Sequence, residues 1–259
     1  MSTGDRFDSN TQAPGLPSRG WRPANAGDAA MPSRRYHPAM IDSAVPYVLL
    51  VGAYLVGSIP FGLLLGRWLH HVDLRTLGSG NIGATNAGRV LGKKTGTVVL
   101  LLDVLKGMLP TLAARLLVED DWPVAAGWPT LCGLAAVLGH VFPVYLGFRG
   151  GKGVATSLGV AIVLGPVAMA AGLVAFVSVT AISGYVALGS MLAALTYAGV
   201  QIATHVTAWQ RSDAWPLWLF TVGVPLLIIW AHRTNIARLR AGTEGKSWRR
   251  GVVEEDAVA

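Results

Sequence analysis

From residue 44 to residue 231 the chain is a succession of apolar runs, about 44–69, 96–118, 123–146, 154–206 and 214–231, parted by short polar connectors. Nothing constrains the fold more. A helix needs about 20 apolar residues to cross a bilayer, and inside hydrocarbon every backbone polar group must be bonded within protein. Runs of this length predict an all-α, polytopic integral membrane protein. Only 14% of the residues are charged, against roughly 25% in a soluble domain. Nearly all the ionisable residues gather in the first 43 positions, in the connectors and after Ile229.

The net charge of +7 does not point to nucleic acid, because the basic residues are scattered among spans and form no stripe. Loops rich in Lys and Arg, facing anionic lipid and anionic substrates, account for it. Cys132, the single cysteine, lies inside an apolar run. It can form no intrachain disulfide and reads as a small buried hydrophobe. No cluster of His, Cys, Asp or Glu has metal-ligand spacing, so neither metal nor cofactor is expected.

Residues 1–39 are rich in Pro, Gly, Ser, Asp and Arg without apolar periodicity, the composition of a disordered tail. Met40 opens MIDSAVPYVLLVGAYLVGSIPFG and reads as the true or an alternative start. The membrane domain is then 40–246, with a C-terminal tail over 247–259.

Topology follows from charge and parity. The loop holding Arg75, Arg89, Lys93 and Lys94 is basic and the Glu119–Asp121 connector is acidic, which puts the first loop in the cytoplasm. Two crossings return the chain there at Arg149–Lys152. The run 154–206 must supply an odd number of crossings if His232 is to lie on the same side. As one helix it would be roughly 80 Å long, and Gly165-Pro166 and Ser183-Gly184 offer two breaks. The expectation is about seven short helices with the N-terminus outside. Arg34 and Arg35, just before the first span, oppose that orientation, and a start at Met40 removes the conflict.

Three polar stretches sit at the ends of these runs. In GSGNIGATNAGR (Gly78–Arg89), glycines such as Gly80 and Gly83 allow close approach to a ligand. Ser79, Asn81, Thr85 and Asn86 bring neutral hydrogen-bonding groups, and Arg89 a planar fork suited to phosphate. In FRGGKGVAT (Phe148–Thr156), Gly150, Gly151 and Gly153 surround Lys152 directly before a helix. Successive N–H groups and the helix dipole make an anion seat there, to which Lys152 adds a full charge. It is no Walker A loop, since Gly153 and Leu146 stand where that pattern needs Ser or Thr and Gly. In HRTNIARLRAGTE (His232–Glu244), His232 and Asn235 are spaced i,i+3, so both can face one side of a helix extending from the span. The arginines there also suit a positive-inside stop. Asp103 and Lys106 form an intramembrane i,i+3 pair, functional or mutually structural, and His140 lies near a span end.

With these residues the chain resembles the bacterial acyl-phosphate:glycerol-3-phosphate acyltransferase family. The resemblance runs from about Val45 to Lys246 through GSIPFG (Gly57–Gly62), LGSGNIGATNAGRVLG (Leu77–Gly92), DVLKG (Asp103–Gly107), LGHVFPVYLGFRGGKGVATSLG (Leu138–Gly159) and HRTNIARLRAGTEGK (His232–Lys246). It implies seven short helices in the inner membrane, a site facing the cytoplasm, and acyl transfer from acyl phosphate to glycerol 3-phosphate, giving lysophosphatidic acid. Ser79 and Arg89 match polar residues of the family's first motif, Lys152 its glycine-loop lysine, and His232 and Asn235 its third motif. Ser190 aligns with a serine of a later helix, while Ala187 stands where many relatives carry serine.

An acyl phosphate is already an activated anhydride, so the expected work is alignment of hydroxyl with carbonyl and neutralisation of two phosphates. The expectation is that Lys152 and its loop hold glycerol phosphate and that Arg89, Ser79 and their loop hold acyl phosphate; the two could also be exchanged. His232 is the preferred base over His140, with the substrate's own phosphate as the other acceptor. Membrane lipid completes the partners, and oligomeric state is left open with a monomer as the simplest case. The alternative is a transporter for an organic anion such as glycerol phosphate, against which stands the placement of all three stretches on one side. The acyltransferase class built on His-x4-Asp does not apply: Arg75, Tyr145 and Ala237 follow His70, His140 and His232 at that spacing.

Overall fold

The computed structural model describes residues 44–118, 125–205 and 213–246, and among these all regular structure is helical. The tails, Met40, Arg34, Arg35 and the acidic connector therefore lie outside the described residues. The first apolar run is broken: α1 (Val45–Gly57) and α2 (Phe61–His70) meet at 43° across Ser58–Pro60. Pro60 has no N–H to continue the ladder. After a loop come α3 (Ala84–Val90), the long α4 (Lys93–Leu117) and α5 (Trp128–Val141).

The run 154–206 divides where its glycines and proline predict. Its pieces are α6 (Val154–Leu164), α7 (Pro166–Ser183) and α8 (Val186–Thr204). Pro166 opens α7, and Gly184 closes it in the left-handed region at φ +82°, donating its N–H to the Thr180 carbonyl at 2.9 Å, the αL closure for which glycine is suited. The last run forms α9 (Trp215–Trp218), a π-helical turn over Leu219–Gly223 and α10 (Val224–Ala231), then bends by 54° into α11 (Arg233–Arg240). Pro225 lacks the N–H that the Thr221 carbonyl would accept in an α-helix, which fits a local π-turn.

By length and composition, four of these helices can cross a bilayer alone, and six segments can if each bent pair is one span. The apolar α6, at 11 residues, is a shorter seventh segment. The chain is a multi-pass membrane protein. Its outward faces are apolar, as on α7, where Val174 and Ile182 (85% exposed) meet the surroundings. Its interior is held partly by backbone contact. A Cβ at Gly107 of α4 would overlap the Thr156 carbonyl of α6, and one at Gly159 would overlap the Val104 carbonyl. Gly57 and Gly139 lock α1 to α5 in the same way. Small residues of this kind let membrane helices approach closely. A second core joins Val137, Val160, Ala168, Tyr197, Phe220 and Ile228 across α5, α6, α7, α8 and the last run.

Candidate active site

The loop before α3 turns through Gly78 and Gly80, both at positive φ. Asn86, on α3 and 2% exposed, reaches back to pin it. Its Nδ2 donates to the carbonyls of Leu77 (3.0 Å) and Leu74 (3.3 Å), and its Oδ1 accepts the Ser79 N–H at 2.8 Å. Asn81 Oδ1 accepts the Gly83 N–H at 2.9 Å. Expected as ligand donors, Asn86 spends its amide and Asn81 its Oδ1 on the loop itself, and both border one cavity with Ser79, Thr85 and Arg89.

The second stretch folds onto the end of α5. A helix leaves its last carbonyls without intrahelical partners. Here the carbonyls of His140 and Val141 accept the N–H groups of Gly151 (3.0 Å) and Gly150 (3.1 Å). The expected anion seat is thereby corrected: these two N–H groups are taken, and Gly80, Gly150 and Gly151 do not line the cavity. The glycines serve close approach instead, since a Cβ at Gly150 would overlap the His140 carbonyl and one at Gly151 the His140 ring. What faces the cavity is Lys152, Gly153 (φ +79°) and the first turn of α6.

His232 occupies the break between α10 and α11 rather than a continuous helix. Its Nδ1 lies 2.8 Å from the Ile228 carbonyl. A carbonyl only accepts, so Nδ1 carries the hydrogen and Nε2 is left as the acceptor. Lys152 Nζ donates to Asn235 Oδ1. Asn235 Nδ2 donates to Glu244 Oε1 at 2.8 Å, and Glu244 Oε2 takes the Arg238 Nε–H at 2.7 Å. Arg89 donates to the Gly245 carbonyl at 3.1 Å. The three stretches, distant in sequence, thus meet in one bonded network. Sequence reasoning missed the part of two members: Arg238, whose charge also suits a positive-inside stop, and Glu244, whose i+9 distance from Asn235 carries no helical periodicity.

The cavity has a volume of about 1170 Å³. Its polar end holds Ser79, Arg89, Lys152, His232 and Asn235, and it continues along Ser190, Ala193, Tyr197 and Phe220. Ser190 gives its hydroxyl hydrogen to the Val186 carbonyl at 2.8 Å. Lys246, beyond Glu244, lies over the Tyr185 ring, so the start of α8 is at the polar end. Tyr197, eleven residues past Val186, is then roughly 16 Å deeper. There its ring meets Phe220 edge-on, centroids 6.0 Å apart.

Burial pulls the Lys152 ammonium down to about 8; Arg238 and Arg89 push the same way and Glu244 opposes them. The site is a partly desolvated cationic mouth on an apolar channel. It suits an amphiphile with an anionic head. Among the described residues no group of three or more His, Cys, Asp or Glu could hold a metal ion.

A family model described as glycerol-3-phosphate acyltransferase matches residues 47–242. The glycerol-3-phosphate acyltransferase of Myxococcus xanthus is 51% identical over 197 residues, covering 76% of this chain and 96% of that protein. Among solved structures, PlsY, an integral membrane glycerol 3-phosphate acyltransferase, aligns in its glycerol 3-phosphate form with TM-score 0.68 and 38% identity. Its lysophosphatidic acid form aligns with TM-score 0.66 and 37% identity. Each alignment covers 78% of this chain and 95% of the other.

Proposed function

Because this chain belongs to the glycerol-3-phosphate acyltransferase family, and is an acyltransferase, we propose that its donor is an acyl phosphate and its product lysophosphatidic acid. The observation that carries this is the meeting of Arg89, Lys152, His232 and Asn235 at one end of a single apolar channel. The acyltransferase domain is 40–246, with 1–39 and 247–259 as tails. It sits in the inner membrane with the cationic mouth toward the cytoplasm, where phosphorylated metabolites are found.

In this reading Lys152, with the positive end of α6, holds the phosphate of glycerol phosphate. Arg89 and Ser79 hold the acyl phosphate, whose chain runs past Ser190 and Ala193 toward Tyr197. The terminal (C1) hydroxyl of glycerol phosphate attacks the acyl carbonyl, the C–O bond to phosphate breaks, and inorganic phosphate leaves with the bonding electrons. Phosphate is a good leaving group, so the site needs no covalent intermediate. It needs proximity and charge neutralisation, and proximity alone can contribute about 7–11 kcal/mol to lowering the barrier. The unprotonated Nε2 of His232 takes the hydroxyl proton.

Purified protein given palmitoyl phosphate and glycerol phosphate is expected to release inorganic phosphate and form lysophosphatidic acid in equal amounts. Turnover with palmitoyl-CoA and none with palmitoyl phosphate rejects the donor. A channel this deep also predicts a chain-length effect. Ala193→Trp should fill it midway and cut kcat/KM for palmitoyl phosphate by more than about tenfold, at roughly fourfold for each methylene no longer accommodated. Octanoyl phosphate should lose less than about threefold. Equal losses for both donors place the chain elsewhere.

A further inference from the structure

Asp103, Lys106 and His140 form a buried cluster that the proposed chemistry does not use, each 5% exposed or less. Lys106 Nζ lies 2.8 Å from Asp103 Oδ1 and donates to the Ile59 carbonyl, in the break between α1 and α2, at 2.9 Å. Those contacts complete an ion pair, and a purely structural pair would stop there. His140 adds a third member: its buried Nδ1 makes no hydrogen bond among the described residues and lies 3.7 Å from the same carboxylate oxygen, an electrostatic contact that sets which way the ring faces. The other edge of that ring, at Nε2, faces the Gly151 Cα so closely that no Cβ fits between them. The His140 carbonyl also accepts the Gly151 N–H. One residue therefore bears on Gly151 through both its backbone and its ring, and the residue after Gly151 is Lys152.

The two helices involved cannot slide independently. Gly107 and Gly159 bring α4, which carries Asp103, into backbone contact with α6, which follows Lys152. Asp103 and His140 both border the cavity. We infer that Asp103 and His140 are positioning residues for glycerol phosphate: the carboxylate orients the ring, the ring sets the height of the glycine loop, and the loop sets where Lys152 meets the phosphate. This rests on Lys152 being the glycerol phosphate ligand. Displacement of a binding group by about 1 Å can cost up to a hundredfold, so a shifted loop is felt mainly in one substrate.

The test is a double-mutant cycle on steady-state constants in detergent-purified protein, with thermal midpoints measured alongside. His140→Asn is expected to raise the KM for glycerol phosphate about tenfold, with kcat within about threefold and the KM for palmitoyl phosphate within about twofold. In a Lys152→Ala background it should add less than about twofold, because it acts through Lys152. Asp103→Asn combined with Lys106→Met, which leaves no unpaired charge, should behave the same way. Rises that multiply in the double variant overturn the proposal, as does a lowered midpoint with unchanged KM. If Lys152→Ala itself leaves the KM for glycerol phosphate unchanged, the Lys152 assignment fails at that single variant, and this proposal with it. Should His140→Asn not accumulate, Gly151→Ala presses on the same contact from the loop side; a KM for glycerol phosphate unchanged there overturns the proposal equally.

Discussion

Lys152→Ala is expected to raise the KM for glycerol phosphate about ten- to hundredfold, the range given by loss of a charge-assisted hydrogen bond worth roughly 1.5–3 kcal/mol. Folding should survive the change. The ammonium is held down to about 8 from its ordinary 10.5, chiefly by burial. A lysine lowered in this way opposes folding while both states are charged, below about 8. That opposition is relieved as pH rises from about 8 toward 10.5. Wild-type protein should therefore gain thermal stability across that window relative to the alanine variant. Substrate binding runs the other way. Phosphate needs the charged lysine, so the wild-type KM should climb as pH passes 8, while the variant stays flat. Thermal midpoints from pH 7 to 10.5 read the first and rates of phosphate release from pH 6.5 to 9.5 the second; an alkaline limb that persists in the variant assigns it to another group.

Gly159→Ala should be a severely damaging single-methyl change. Its Cβ would fall on the Val104 carbonyl and within 2.9 Å of the Met108 nitrogen. Both are helix backbone and neither can turn aside. Forced overpacking costs about 1–3 kcal/mol, and here the strain separates α4 from α6, with Asp103 on one and the Lys152 loop at the head of the other. The expected result is a thermal midpoint lower by several degrees and a raised KM for glycerol phosphate. Gly199→Ala, where an added methyl meets nothing within 4 Å, is the control that should leave both unchanged. Equal behaviour of the two variants refutes the close-contact account.

Much of this was legible in the sequence. The division of 154–206 followed from residues whose backbone chemistry ends helices, Gly165-Pro166 and Gly184. Convergence of the three stretches was the premise from which the crossings were counted, and the contacts of Lys152 with Asn235 and of Arg89 with Gly245 agree with it. Other features needed the folded chain. A sequence shows that Asn86 or Gly150 carries donors, but not whether those donors are satisfied by nearby backbone. Gly150 and Gly151 looked like an anion seat because glycine serves both close packing and ligand approach. Only the position of His140 distinguishes the two uses. Glu244 escaped notice because it joins Asn235 through a chain reversal after α11, with no fixed spacing to read.

The Lys152–Asn235–Glu244–Arg238 network also bears on how turnover ends. Arg89, Lys152 and Arg238 set three positive charges against one carboxylate, a surplus that matches a single doubly ionised headgroup. In the proposed reaction two phosphate groups, of reactants and of products alike, exceed it. Each then loosens the other's hold, and if the proposed reaction holds, orthophosphate, with no tail in the channel, is expected to return to water before the newly made lipid does.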